Sequence, residues 1–181
     1  SPLRVCLVSP YVYPIFNPMA RGVYGDAELF LHEMARIFGE EEDIEMNVLT
    51  GDFDQNEVEY YSGILVFRGN YNSSRTVWQR LIRKKSPLHT LLNKIDAHIY
   101  FMSGASGLAR TIAEYCQDRR RCFLFRISNQ QDCDGTFVHG DPEGEDYRWA
   151  LHRADLLLCQ TEEQKKMLQR TENLTAELAP N

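Results

Sequence analysis

Side chains able to do chemistry gather at a few points along the 181 residues. The stretch 129–144 carries Asp132, Asp134, His139 and Asp141, residue types that ligate metals. Their spacing fits no EF-hand loop, which needs a closing glutamate at its twelfth position, and no metal site is expected. The turn Ser103-Gly104-Ala105-Ser106-Gly107 is made of small residues and leads into a helix. Small side chains there let a ligand come close to the backbone, and the helix start attracts negative charge. The segment Arg21-Gly22-Val23-Tyr24-Gly25-Asp26 precedes the first long helix. Asp26 would repel a phosphate at that helix start, and Arg21 could offset the repulsion. Neither GxGxxG nor a P-loop Gly-Lys-Ser/Thr is present, and no Ser/His/Asp order, Cys/His pair or HExxH appears. On chemistry alone the chain is a ligand-binding domain of unspecified ligand.

The elements that must position these residues repeat one unit. An apolar run at 4–10 reads as a strand, and a loop at 11–24 follows it. The helix at 25–38 carries Ala27, Phe30, Leu31, Met34, Ile37 and Phe38 at three- and four-residue intervals, so that stripe is expected to face a core. Asp26 and Glu28 suit its first turn, and Gly39 is expected as a left-handed cap. Further strands are expected at 45–50, within 61–68 and centred on 64–67, at 96–102, 122–128 and 154–160, with an extended piece at 175–179. Helices are expected at 75–94 with a break at Pro87, at 108–117, at 147–153 and from a capping box at Thr161 to Arg170. The fold expected is α/β and Rossmann-like: a doubly wound, mainly parallel sheet of six to seven strands, with helices on both faces and ligands at the carboxyl ends of the strands. The connection 129–144 is longer than such a fold needs, which marks it as functional or mobile.

Composition narrows the class. The charge is −6, with 43 % hydrophobic and 25 % charged residues, values ordinary for a soluble globular protein. No apolar run approaches bilayer length and no signal peptide precedes the first strand. Five cysteines without CxxC or regular spacing point to a reducing, cytosolic compartment without a disulfide framework. The charge is unevenly placed. Residues 60–95 hold seven basic side chains and no acidic one, which leaves 13 basic against 26 acidic elsewhere. That balance argues against general nucleic-acid binding. Val77, Trp78, Leu81 and Ile82 share a side of the 75–94 helix, and Arg75, Arg80, Arg83, Lys84 and Lys85 crowd the remainder. Such a helix either packs on the sheet as a surface helix or touches anionic headgroups or an anionic acceptor.

Three segments resemble retaining glycosyltransferases of family 4. Gly25-Asp26-Ala27-Glu28 is similar to their Gly-Gly-Ala-Glu segment, with Asp26 in place of the second glycine. The stretch from Leu151 to Leu168 resembles their Ala-Asp, apolar strand, Ser/Thr-Glu, helix segment, and Ala176-Glu177-Leu178-Ala179-Pro180-Asn181 resembles the stretch that ends their N-terminal domain. The order and distances match the family. The resemblance implies GT-B architecture, with residues 1–181 as the single N-terminal, acceptor-side Rossmann-like domain. It implies a separate C-terminal donor domain that makes most contacts to the nucleotide-sugar, no other cofactor, and no transfer by this half alone. A chain ending on a strand-like segment without a closing helix is expected to be a cut protein.

The resemblance also implies the site. Acceptor or ligand contacts fall to Arg21, Gly22, Tyr24 and Gly25, then to Ser103, Gly104, Arg126 and Asp132, all at carboxyl ends of expected strands. Family members often carry a histidine at the end of the fourth or fifth strand. This chain has Met102-Ser103-Gly104 and Ile127-Ser128-Asn129 there. Asp132 or His139 could stand in as the catalytic group. The partners implied are a sugar or lipid-linked acceptor, the chain's own donor domain and, through Arg75, Arg80, Arg83, Lys84 and Lys85, the inner face of a membrane. Two other classes stay open. A dinucleotide-dependent reductase or epimerase lacks its glycine fingerprint, although Asp52 lies near the ribose-binding position. A non-catalytic α/β binding module also remains, but a receiver domain would need clustered aspartates after the first strand, where Ser9-Pro10-Tyr11 supplies none.

Overall fold

The computed structural model describes residues 1–69 and 87–180. Arg75, Arg80, Arg83, Lys84 and Lys85, with most of the helix expected at 75–94, lie outside the described residues. The chain is an α/β, Rossmann-like fold of mainly parallel strands flanked by helices. It divides into two compact units, Ser1–His98 and Ile99–Asn181.

The first unit contains β1 (Leu3–Val8), α1 (Tyr13–Phe16), α2 (Asp26–Phe38), β2 (Ile44–Thr50), β3 (Val58–Tyr61), β4 (Ile64–Arg68) and α3 (Pro87–Ile95). Its strands lie in the order β3-β4-β2-β1. β1 runs parallel to β2 with Leu7 opposite Val48, and β2 runs parallel to β4 with Val48 opposite Val66. Cys6, Leu7, Val8, Met46, Val48 and Leu49 are buried without alternation, as expected of strands covered on both faces. Arg4 closes the far end, its Nε donating to the Asp96 carbonyl at 2.8 Å and its Nη2 to the Asp96 carboxylate at 3.0 Å.

Several expectations are corrected here. The strand expected within 61–68 is present as β4, but the hairpin arm before it was not expected. Tyr61 ends β3, which pairs antiparallel with β4 through a two-residue turn at Ser62 (φ 46°) and Gly63 (φ 90°). Both central residues sit at positive φ, as a tight hairpin requires. Gly39 is right-handed (φ −69°, ψ −14°), not a left-handed cap. Its glycine serves close packing, since a Cβ there would stand 3.0 Å from Cγ1 of Ile64. The α2 stripe is also narrower than expected. Leu31 and Ala35 are buried, whereas Ile37 and Phe38 are 47 % and 38 % exposed. The loop 11–24 holds the extra helix α1, started by buried Tyr13 and Pro14.

The second unit contains β5 (Ile99–Ser103), α4 (Leu108–Arg119), β6 (Cys122–Arg126), a 3-10 turn (Gln130–Asp132), α5 (Thr136–Gly140), α6 (Gly144–Leu151), β7 (Leu156–Cys159), α7 (Glu162–Glu172) and β8 (Glu177–Leu178). Its four strands lie in the order β5-β6-β7-β8, each parallel to its neighbour. The extended piece expected at 175–179 is the short β8, and the surplus over six to seven strands is the hairpin arm β3. The connection 129–144 is mostly ordered structure rather than a loop. Its helices are too short to show a periodicity, and side-chain caps hold them instead. The capping residue Thr161 accepts from the Gln164 amide at 3.1 Å as expected, while Gln164 Oε1 accepts from the Gln160 amide at 2.8 Å. No helix among the described residues is long and apolar enough to cross a membrane.

Two ion-pair groups join the helices of the second unit. Arg110 of α4 donates to Asp146 of α6 at 2.9 Å and to Glu114 at 3.0 Å. Glu172, whose side chain is 4 % exposed, accepts from Arg148 Nε at 2.8 Å and lies 2.9 Å from His152 Nε2. Burial works to raise the Glu172 carboxyl, yet the hydrogen bonds and charges of Arg148 and His152 leave it below its ordinary value. Its contribution to stability is therefore present above the ordinary carboxylate range near pH 4.3 and lost as pH falls through the depressed folded value. Glu172→Gln is expected to lower unfolding stability at pH 7 by about 1–3 kcal/mol and to weaken the acid dependence of the melting temperature. Denaturant melts at pH 7 and pH 4 check both; equal losses at the two pH values would contradict it.

Candidate functional site

In the first unit the candidate locus is the loop after β1, built on a buried base. Val12 and Tyr13 are 1 % and 2 % exposed. The Tyr13 hydroxyl donates to Glu59 Oε2 at 2.8 Å and accepts from Asn17 Nδ2 at 3.1 Å. Tyr61 donates to the same Glu59 oxygen at 2.6 Å. The Tyr61 hydrogen bond, ahead of burial that opposes it, holds the Glu59 carboxyl below its ordinary value. Burial and the Glu59 contact push the Tyr61 phenol up. Two tyrosines thus clasp an ionised carboxylate and fasten the loop to β3. Rings extend the clasp: Tyr13 against Phe53 at 5.5 Å, and Phe16 against Tyr61 at 5.5 Å and His32 at 4.7 Å.

Above that base the loop is exposed. Gly22 fits because a Cβ there would meet Pro14 Cγ at 2.6 Å and Phe53 Cε1 at 3.0 Å. Arg21, Gly22, Tyr24 and Gly25 are all exposed, beside Met19 and Val23 at 89 % and 88 %. The Gly25 amide donates to Glu28 Oε2 at 2.7 Å, so Glu28 closes the first turn of α2 and takes up one of its free donors. The exposed donors on this loop include the Arg21 guanidinium, the Tyr24 hydroxyl and backbone amides.

In the second unit the carboxyl ends of β5 and β6 bring together Ser103, Gly104, Arg126 and Asp132. Arg126 is 1 % exposed. Its Nη1 reaches Ser103 Oγ at 3.4 Å, and its carbonyl accepts from the Gly104 amide at 3.1 Å. Burial pulls its guanidinium below the ordinary value, and the charge of Asp132 opposes that shift. Asp132 is 3 % exposed, and its Oδ2 accepts from Ser128 N at 2.8 Å, Ser128 Oγ at 2.9 Å and Asn129 N at 3.2 Å. A carboxylate so engaged fixes the backbone at the end of β6. The geometry thus gives Asp132 a holding role. His139 stands on the last turn of α5, exposed.

Two further carboxylates act locally. Asp134 caps the Thr136 amide and Asp141 the Glu143 amide, both at 2.8 Å. Among the described residues no three His, Cys, Asp or Glu side chains converge as metal ligands would. Burial pushes Cys133 up to about 12 and Cys159 up to about 11, which keeps both thiols protonated and poorly nucleophilic at neutral pH.

Glu143 is the site residue that the sequence reading missed. Its Oε2 accepts from the Gly107 amide at 3.1 Å, at the N-terminal end of α4 where a ligand's negative charge was expected. The signal was Gly107 itself, since a Cβ there would stand 2.7 Å from Cδ of Glu143. Gln160 was missed too. From the end of β7 its Nε2 donates to the Ser128 carbonyl at 2.7 Å.

No family model matches the sequence, and no curated protein is detectably similar to it. Solved structures are similar in fold. The UDP-GlcNAc 2-epimerase of Methanocaldococcus jannaschii superposes with a TM-score of 0.62 at 12 % identity, over 98 % of this chain and 45 % of that one. The Neisseria meningitidis UDP-GlcNAc 2-epimerase bound to UDP-GlcNAc gives 0.62 at 10 % identity, over 98 % and 46 %. HepE of Anabaena, in complex with UDP and glucose, gives 0.60 at 12 % identity, over 99 % and 44 %. The chain spans less than half the length of each, and the likeness is one of fold.

The Glu59 clasp carries a prediction. Glu59→Ala should cost about 1 kcal/mol of stability and speed amide exchange at residues 11–17 relative to β1 and β2. Exchange unchanged in that loop would show that the clasp does not hold it.

Proposed function

We propose that the chain is the acceptor-side half of a GT-B enzyme acting on sugars through a nucleotide-sugar, of the retaining glycosyltransferase kind. The observation that carries the reading is the whole-chain likeness to one half of enzymes whose names or bound molecules include UDP-sugars or UDP with a sugar. Those epimerases share the GT-B fold with glycosyltransferases. The three segments that resemble family 4 support the finer assignment, because they fall on the turn into α2, on β7 with α7, and on β8. In this reading the loop with Arg21, Gly22, Tyr24 and Gly25 contacts the acceptor. Ser103, Gly104 and the backbone fixed by Asp132 offer a second locus for hydroxyls. His139, exposed and ionisable, is the candidate proton carrier, and Asp132 holds the backbone at Ser128 and Asn129. The nucleotide-sugar is the co-substrate and is held mainly by a second, donor-side half; no other cofactor is assigned.

Catalysis then rests on positioning. Retention by front-face attack needs the acceptor hydroxyl held beside the departing nucleotide, and orientation rather than a strong base supplies the rate. The acceptor is a glycan, a lipid-linked sugar or a small molecule. The basic segment 75–85 would meet an anionic acceptor or the cytoplasmic face of a membrane.

The neighbours' names favour one second reading, a sugar-nucleotide epimerase half. Assay separates the two. The protein is incubated with UDP-GlcNAc or UDP-glucose, with and without mixed glycan and lipid-linked acceptors, and read by nucleotide release and by NMR of the sugar. The transferase reading predicts acceptor binding without turnover by these residues alone, and acceptor-dependent UDP release once a donor-side half is supplied. Epimerised sugar formed without an acceptor would establish the second reading. Robust turnover by residues 1–181 unaided would contradict the division of labour.

Vesicle co-sedimentation tests the basic segment. Changing Arg80, Arg83, Lys84 and Lys85 to Ser should cut binding to phosphatidylserine vesicles by at least about tenfold at low salt. Unchanged binding would remove the membrane role.

A further inference from the structure

A pocket of about 420 Å³ opens at the amino end of β6, the opposite end of that strand from Arg126. Three guanidinium groups line it: Arg120 and Arg121 from the connection between α4 and β6, and Arg153 from the connection between α6 and β7. Asp155 is the one acidic side chain in its lining, and its Oδ2 accepts from the Phe123 amide at 2.8 Å. Buried Ala113, Cys116 and Phe123 form an apolar floor, which strengthens charge interactions above it.

We propose that this pocket binds the phosphate of a small phosphomonoester, at a site separate from the proposed sugar locus and independent of that assignment. Charge selects the ligand class. Three cations against one carboxylate leave an excess of two positive charges, and a phosphomonoester carries about −1.5 to −2 at neutral pH. A single carboxylate would leave the excess half balanced. Guanidinium forks also match phosphate oxygens in pairs.

One of the arginines is held in place and another sits on a constrained backbone. Arg153 lies over the Trp149 ring at 3.8 Å and donates Nη1 to the Trp149 carbonyl at 3.2 Å, which sets its direction before any ligand arrives. Arg120 sits at φ 55°, ψ 47° as the cap of α4, a left-handed position that favours glycine or asparagine. Cations at the end of a helix offset its dipole. That accounts for Arg119, Arg120 and Arg121, but not for a concavity, nor for an arginine brought in from more than thirty residues downstream. The volume lies within the range of small-molecule sites.

Calorimetric titration with glycerol phosphate and with inorganic phosphate tests the proposal, at constant ionic strength set by sodium chloride. Arg120→Gly relieves the left-handed backbone as it removes the guanidinium, so its melting temperature in chloride should hold or rise. That variant and Arg153→Gln should each weaken glycerol phosphate binding by about tenfold, the loss expected for one charge-assisted contact. Equal affinity for both probes assigns the site to free phosphate, and tighter binding of the ester assigns it to an esterified ligand; either supports the inference. Failure of the unmodified protein to bind either probe at millimolar concentration would overturn it, as would affinity unchanged in the stable Arg120→Gly variant.

Discussion

A carboxylate buried at the end of β6 organises the second unit. Asp132 is nearly inaccessible to water, and a carboxylate cannot be buried cheaply unless its oxygens are satisfied. The Ser128 and Asn129 donors satisfy Oδ2, which fixes the backbone leaving the strand. The Tyr147 hydroxyl then binds the Asp132 carbonyl at 2.8 Å and draws in α6. Gln160 ties the same backbone to the end of β7, and Gln164 carries the connection into α7. Arg126, buried on the same strand, faces Ser103. One carboxylate thus sets the shape of the strand ends where this class of fold places ligands.

The first unit solves the same problem differently. Its loop after β1 is anchored from below by Tyr13, Tyr61 and Glu59, while its upper surface shows Met19, Val23 and Tyr24 to solvent. Anchoring the base leaves only the exposed rim free to move.

Much of this fold could be read before any coordinates. β1 and α2 announced themselves by an apolar run and a helical stripe, and Thr161 with Gln164 marked the start of α7. What escaped was decided by contacts distant in sequence. The hairpin arm β3 and its turn at Ser62-Gly63 gave no signal ahead of the strand centred on 64–67. Gly39 does cap α2, but in the right-handed region, and Ile64 across the unit is what leaves little room for a side chain there. Ile37 and Phe38 share the stripe's period yet face outward. The stretch 129–144 looked like a loop because α5 has only five residues and its order comes from Asp132, Asp134 and Asp141. At the site, Ser103, Gly104 and Arg126 do come together with Asp132. Asp132, named as a candidate catalyst, turns out to be engaged in holding the backbone, and Glu143 gave no local pattern at all.

The central proposal is that this chain recognises sugar at the carboxyl ends of its strands. Amide chemical-shift mapping of the ¹⁵N-labelled protein, titrated with an oligosaccharide acceptor and separately with UDP-GlcNAc, tests it most directly. The account predicts that acceptor shifts the amides of Ser103, Gly104, Ser128 and Asn129, with weaker effects from UDP-GlcNAc. Shifts confined to the amino ends of the strands, or none with either molecule, would contradict it.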